Sequence, residues 1–156
     1  MEAPKPAIPL DVVARMTRVL PHVEALGAEV AGVEEGYGLM KADWREDLVG
    51  NPATGVLHGG VITALLDTAS GIAVFTSVPK VMMVATLDLR IDYLKPAVPK
   101  KAVFAEARCI KLTRSIAFVR GRAYHEPDHD IAVSMASFML VSSALPGLTL
   151  PGEAAG

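Results

Sequence analysis

The sequence predicts an α+β fold: one antiparallel sheet of about six strands curled around a single long helix. Three observations lead there. Residues 60–77 are the one long helical stretch, and it is apolar around nearly its whole circumference, which suits a helix covered on most sides. Thr86–Leu94 alternates, with Leu87, Leu89, Ile91 and Tyr93 on one face and Thr86, Asp88, Arg90 and Asp92 on the other, the period of a half-buried strand. The elements run helix, two strands, central helix, four strands, without the strand–helix alternation of a parallel doubly wound sheet.

Each element has its own signal. Leu10–Leu20 sets Val12, Val13, Met16, Val19 and Leu20 at helical intervals, and Pro21 ends it. Glu24–Glu34 and Tyr37–Glu46 read as strands joined at Glu35-Gly36, and Asp47–Leu57, with Gly50-Asn51-Pro52 and Gly55, as a loop. The central helix runs from Gly60 to about Ser77 and is closed by Pro79. Pro96 and Pro99 end the strand that follows it. Ala102–Lys111, Ile116–Glu126 and Ile131–Val141 are the remaining strands, with Pro127-Asp128 turning between the last two. Residues 1–9 and 146–156, rich in Pro, Gly and Ala, read as flexible tails around a single domain at 10–145.

Composition narrows the function. With 156 residues, 51% hydrophobic and 21% charged, the chain suffices for one packed domain and is not expected to be disordered. A net charge of −2 without a Lys/Arg cluster gives no field for nucleic acid. The single cysteine, Cys109, excludes an intrachain disulfide and fits a reducing cytoplasm. It shares a strand face with Val103, Ala105 and Ala107, as a core filler does. Met1–Pro9 lacks the basic-then-apolar order of a signal peptide, and Asp67 interrupts the apolar run before it reaches a clean membrane span. A soluble protein without a membrane partner is expected.

Asp67 carries the chemistry. It stands in the most apolar stretch of the chain, seven residues after Gly60, where an unpartnered carboxylate costs several kcal/mol. Helical spacing puts Gly60, Thr63, Ala64, Asp67, Ser70, Gly71 and Val74 on one side. This stripe of small residues leaves room for a ligand, another helix, or both. His58-Gly59-Gly60 precedes the helix, so its amides lack intrahelical partners and suit a carbonyl oxygen that becomes negative during reaction. An oxyanion site with a carboxylate two turns along is the layout for acyl transfer to water, the carboxylate acting as general base or nucleophile.

The pattern Gly55-x-x-His58-Gly59-Gly60-x6-Asp67-x3-Gly71, followed by Ala85-Thr86-x-Asp88-x4-Tyr93-Leu94-x-Pro96, resembles the hotdog-fold acyl-CoA thioesterases. Within them it is similar to the PaaI-like group of phenylacetate-pathway and 4-hydroxybenzoyl-CoA-related enzymes. The resemblance runs from about Tyr37 to Val141. It implies hydrolysis of an acyl-CoA thioester to free acid and coenzyme A, with Asp67 as the catalytic carboxylate. The Gly59 amide would polarise the thioester carbonyl, with Gly60 assisting. His58 and Asn51 would place thioester and water, and Thr86 would stand near the attacking water. The Asn51-to-His58 spacing is one residue longer than in related members. The resemblance further implies a homodimer with the site between subunits, or a homotetramer made of two such dimers, with coenzyme A as part of the substrate and no cofactor or metal. Gly60, Thr63 and Ser70 on the stripe, and Arg114-Ser115 toward the coenzyme A phosphates, are the expected substrate contacts.

Blander readings stand beside these. Asp67 also reads as a carboxylate capping a neighbouring loop, His58 as a loop histidine satisfied by backbone, Asn51 as a turn starter before Pro52, and Thr86 as an ordinary β-branched strand residue. His125-Glu126-Pro127-Asp128-His129-Asp130 suggests a metal cluster at first sight, but a hairpin turn is polar anyway. A non-catalytic acyl-CoA sensor of the same fold is the alternative function. A hydratase or dehydratase would need a histidine–acid pairing that the sequence does not offer.

Overall fold

The structure, a computed structural model, describes residues 8–79 and 82–141. Of the expected tails, 1–7 and 146–156 lie outside the described residues, while Ile8 packs against the core. Helix α1 spans Leu10–Arg18. Pro21 does more than end it: the proline occupies the first turn of a second short helix, α2, Pro21–Leu26, where its missing N–H costs nothing. Gly27 closes that helix at φ 63°, a left-handed cap that glycine takes without strain. Strand β1, Ala28–Glu34, therefore starts four residues later than the sequence pattern suggests. It turns at Glu35-Gly36 into β2, Tyr37–Ala42.

Residues 47–57 are more ordered than a loop. A short 3-10 turn at Glu46–Leu48 leads into a small ribbon of β3, Val49–Asn51, and β4, Val56–Leu57. The long helix α3, Gly59–Ser77, follows with His58 as its N-cap. Then come β5 Met83–Tyr93, β6 Val103–Leu112, β7 Ile116–Tyr124 and β8 Asp130–Val141.

The six long strands form one antiparallel sheet in the order β1-β2-β6-β7-β8-β5, wrapped on α3. Its inner face is built from small residues: Ala42, Ala105, Ala107, Ala117, Ala123, Ala132 and Ala136 are all buried. They let Leu65, Leu66, Ala69, Ile72 and Ala73 of α3 close down on the strands. At Gly38 the approach is limiting, because a Cβ there would lie 2.6 Å from the Ala69 carbonyl oxygen and 2.8 Å from Ile72. By length and composition α3 is apolar enough to cross a membrane, yet here it is the core helix.

Strand β5 departs from its sequence pattern at one point. Its register against β8 shifts between Thr86 and Asp88, so Leu87 is an extra, bulged residue and is 54% exposed. The bulge turns Thr86, paired with buried Phe138, onto the helix-facing side together with Leu89 and Ile91. Simple alternation would have pointed it away.

The outer face of the sheet carries a charged network. Glu106 accepts hydrogen bonds from Tyr37 Oη (3.2 Å), Tyr124 Oη (3.1 Å) and Arg122 Nε (2.7 Å). Burial pushes the Glu106 carboxyl up, but the Arg122 and tyrosine hydrogen bonds and the guanidinium charge outweigh it and hold it below the usual range. Burial, reinforced by the Glu106 charge, pushes Tyr37 up to about 12.

Replacing this carboxylate by an amide, Glu106→Gln, leaves Arg122 short of its partner and should cost about 1–3 kcal/mol in urea denaturation at neutral pH. The folded state favours ionised Glu106. Its contribution is therefore present above the ordinary value of 4.5 and lost as pH falls through the lower folded value, so wild type and variant should converge in acid. Tyr37 has the opposite sense: its stabilisation holds below pH 10.0 and fades as pH rises toward about 12.

Candidate active site

Two groups of functional side chains are assembled at different points along α3. The first is at its start. His58, the N-cap, accepts a hydrogen bond from the Gly60 amide through Nδ1 at 2.9 Å. An accepting Nδ1 leaves the ring proton on Nε2, so His58 offers an outward N–H. Its own backbone N–H is tied to the Leu48 carbonyl at 2.9 Å, which is how the β3–β4 ribbon holds this residue in place. The Gly60 donor is occupied by His58, whereas the Gly59 N–H has no acceptor among the described residues. Of the two glycine amides expected to polarise a carbonyl, Gly59 is the free one.

Tyr93, at the end of β5, adds a contact that its strand pattern did not announce. Its hydroxyl donates to the Gly59 carbonyl at 2.9 Å and lies 2.7 Å from Thr63 Oγ1. The Thr63 hydroxyl is thus engaged within the first turn, and is also 3.2 Å from the Gly59 carbonyl. The only advance sign of Tyr93 was its place in the Tyr93-Leu94-x-Pro96 motif. A hollow of about 340 Å³ adjoins this point, lined by Val56, Leu57, Gly59, Ile62, Tyr93, Leu94, Lys95, Pro96 and Ala97.

The second group is two turns along. Asp67 is half-buried, and its Oδ1 accepts a hydrogen bond from Thr86 Oγ1 at 2.9 Å. This contact exists because the β5 bulge turns Thr86 inward. No cation pairs with Asp67 among the described residues. A carboxylate aligned by one hydroxyl and neutralised by no cation keeps its second oxygen for chemistry.

The remaining expected residues lie elsewhere. Asn51 closes its own turn, its Oδ1 accepting from the Ala53 amide at 3.0 Å and its carbonyl from Gly55 at 2.8 Å. Ser70 is fully buried and its hydroxyl finds no partner; with Val74 it rolls into the core, so the open stripe is Gly60, Thr63, Ala64, Asp67 and Gly71. Arg114 and Ser115 are exposed in the β6–β7 turn, at the end of the sheet where β5 begins, because Leu140 bonds the Ser115 carbonyl and pairs with Val84. His125 is structural: Nδ1 donates to the Ala102 carbonyl (2.7 Å) and Nε2 accepts from the Val98 amide (2.8 Å). Among the described residues no three His, Cys, Asp or Glu side chains gather as a metal site. A larger open trough, about 660 Å³, lies on the outer face between Arg90, Arg108, Arg120 and Arg122, away from both groups.

Known proteins resemble this chain in sequence and fold. The family model described as the thioesterase superfamily matches residues 54–132, the span holding every residue of both groups. The medium/long-chain acyl-CoA thioesterase YigI of Salmonella typhimurium is 28% identical over 134 residues, covering 78% of this chain and 86% of that one. A solved protein of Pseudomonas aeruginosa superposes with a TM-score of 0.75 at 38% identity, over 83% of this chain and 97% of its own. A mutant of the phenylacetic acid degradation protein PaaI from Thermus thermophilus does so with a TM-score of 0.67 at 28% identity, over 76% and 97%. The six-stranded sheet around a central helix is the hotdog architecture of these neighbours.

Because the Ser70 hydroxyl is sealed in the core without a partner, Ser70→Ala is expected to leave KM for any substrate within about twofold and thermal stability equal or higher, as removing an unpaired buried hydroxyl does. Steady-state kinetics and a melting curve check both; a large rise in KM would place Ser70 in the substrate's path.

Proposed function

This chain belongs to the thioesterase superfamily, and from that premise we propose that it hydrolyses acyl-CoA thioesters to a free acid and coenzyme A. The observation that carries the reading is Asp67, aligned by Thr86 and left without a countercharge. In the reaction the thioester oxygen sits on the Gly59 N–H, where helix polarity and an unshared donor favour the negative charge that develops. Asp67 either takes a proton from the attacking water or attacks the carbonyl itself. With Asp67 as base, the C–S bond then breaks and the proton taken from water passes to the departing coenzyme A thiolate. With Asp67 as nucleophile, C–S cleavage leaves an acyl-Asp67 anhydride that water hydrolyses to the free acid, a proton from that water going to the thiolate. His58 Nε2–H supplies a second donor at the thioester. Nothing in this sequence of steps calls for a cofactor. A reducing cytoplasm suits a chain with one cysteine.

The site requires two chains. Asp67 lies eight residues beyond Gly59 on the same helix, about 12 Å at helical rise, whereas a reacting carbonyl needs donor and base each within about 3–3.5 Å. One chain offers two half-sites, and a two-fold copy completes each: Gly59 and His58 of one face Asp67 and Thr86 of the other. The free edge of β5 is the natural seam, since it is unpaired, carries Thr86, and exposes Leu87. The outer sheet face exposes Phe118, Met135 and Met139, which suits pairing of dimers into a homotetramer.

The likeness to YigI, named a medium/long-chain thioesterase, makes medium and long straight-chain esters the first substrates to assay, with phenylacetyl and hydroxybenzoyl esters beside them. Asp67→Ala is expected to keep the fold and lower kcat by about a thousandfold or more, the scale of losing a general base or nucleophile. Light scattering is expected to give two or four chains per particle. An active monomer, or undiminished turnover by the variant, overturns the proposal. Tight acyl-CoA binding with no thiol release by the wild type makes the protein a sensor instead.

A further inference from the structure

The first turn of α3 carries more hydrogen bonds than a helix needs. Gly59 begins the helix, so its carbonyl already accepts from the helical ladder. Yet Tyr93 Oη donates to it at 2.9 Å, and Thr63 Oγ1 lies 3.2 Å from it and 2.7 Å from Tyr93 Oη. Two hydroxyl protons serve three contacts, and the carbonyl only accepts. The shorter contact to that carbonyl, 2.9 Å against 3.2 Å, favours Tyr93 as its donor and leaves the Thr63 proton for the 2.7 Å contact with Tyr93 Oη.

That carbonyl belongs to the same peptide group as the Gly60 N–H, which donates to His58 Nδ1 at 2.9 Å. A chain of donors therefore runs from Thr63 through Tyr93 and the Gly59–Gly60 peptide to the imidazole, and each link polarises the next. Its end point is the His58 tautomer with the proton on Nε2. The Tyr93 ring also rests against Gly59, where a Cβ would meet its atoms at 3.4–3.5 Å. Both sides of the peptide that orients the free Gly59 N–H are thereby pinned.

The geometry points to Tyr93, backed by Thr63, as a positioning residue: it orients the Gly59–Gly60 peptide and fixes the His58 tautomer, and so acts on turnover without touching substrate. The inference rests on the thioesterase reading for its effect on rate, while the tether itself is open to direct observation. Other hydrophobic residues at the end of β5 would cover the helix start as well; the hydroxyl is what this role requires.

The variants are Tyr93→Phe, Thr63→Val and Thr63→Ser, each assayed on medium-chain acyl-CoA as purified full-length protein, with Gly60 amide hydrogen exchange followed by NMR. Tyr93→Phe is expected to lower kcat about tenfold with KM within about twofold, the scale of one lost hydrogen bond expressed in the transition state. It should also speed Gly60 exchange while amides in the middle of α3 keep their protection. Thr63→Val should follow at about threefold in kcat, and Thr63→Ser, which keeps the hydroxyl, should match wild type. A Tyr93→Phe enzyme with wild-type kcat overturns the inference, as does a loss of kcat that scales only with lost folded protein, or a Thr63→Ser enzyme as slow as Thr63→Val. Should the wild type hydrolyse no acyl-CoA ester, the thioesterase reading falls and the effect on rate with it. Unchanged Gly60 exchange in Tyr93→Phe removes the tether whatever the activity.

Discussion

The closeness of α3 to the sheet is the constraint on which the rest depends. The contact at Gly38 leaves no room for a side chain, and the alanines lining the inner face hold the same spacing along the helix. Dense packing of this kind has no slack, so the helix cannot rotate or slide to suit a ligand. Everything attached to it inherits that rigidity: the amides at its start and the carboxylate two turns on are fixed relative to each other by one stiff rod. A helix apolar on almost every side is what such enclosure demands. Asp67 is tolerated because it lies on the strip the sheet does not cover.

Much of this was legible in the sequence. The alternation of β5 from Asp88 onward, the all-round apolar helix and the turn at Glu35-Gly36 are local signals, and the structure follows them. Three features were not. Pro21 ends one helix and starts another, and only Gly27 downstream, through its left-handed cap, settles which. The β3–β4 ribbon is too short to have a period. The bulge at Leu87 is set by pairing with β8, a non-local fact that reverses the face of Thr86. The site divides the same way. Asp67 and the His58-Gly59-Gly60 step stand out as residue types, whereas the roles of Thr63, Ser70 and Tyr93 depend on which side of the helix another strand arrives.

Charge is partitioned between the two faces of the sheet. On the outer face every carboxylate of the central network is matched: Glu106 by Arg122 and two tyrosines, Asp130 by Arg122, Asp92 by Arg90. Such groups hold strands in register, and the proton affinities of Glu106, Arg122, Tyr37 and Tyr124 move because burial and their mutual hydrogen bonds act on them together. On the helix side the Asp67 carboxylate has one side-chain partner among the described residues, the Thr86 hydroxyl. Had an arginine projected inward beside Asp67, the pair would have stabilised the ionised carboxylate at the cost of its basicity, and the group would have become another structural link.

The spacing of the two groups along α3 follows the same logic. Placed one turn apart, the amides at the helix start and the carboxylate would share one surface, and the carboxylate would compete for the Gly59 N–H as an N-terminal cap does. Two turns of separation keep the Gly59 donor and the Asp67 carboxylate apart within the chain. Folding of the single chain thus leaves the Gly59 N–H without an acceptor and Asp67 with Thr86 as its hydrogen-bond donor among the described residues. The Gly59 N–H left over beside the His58 cap, and a half-buried carboxylate without a cation among the described residues, are each mildly unfavourable, and they are opposite in polarity.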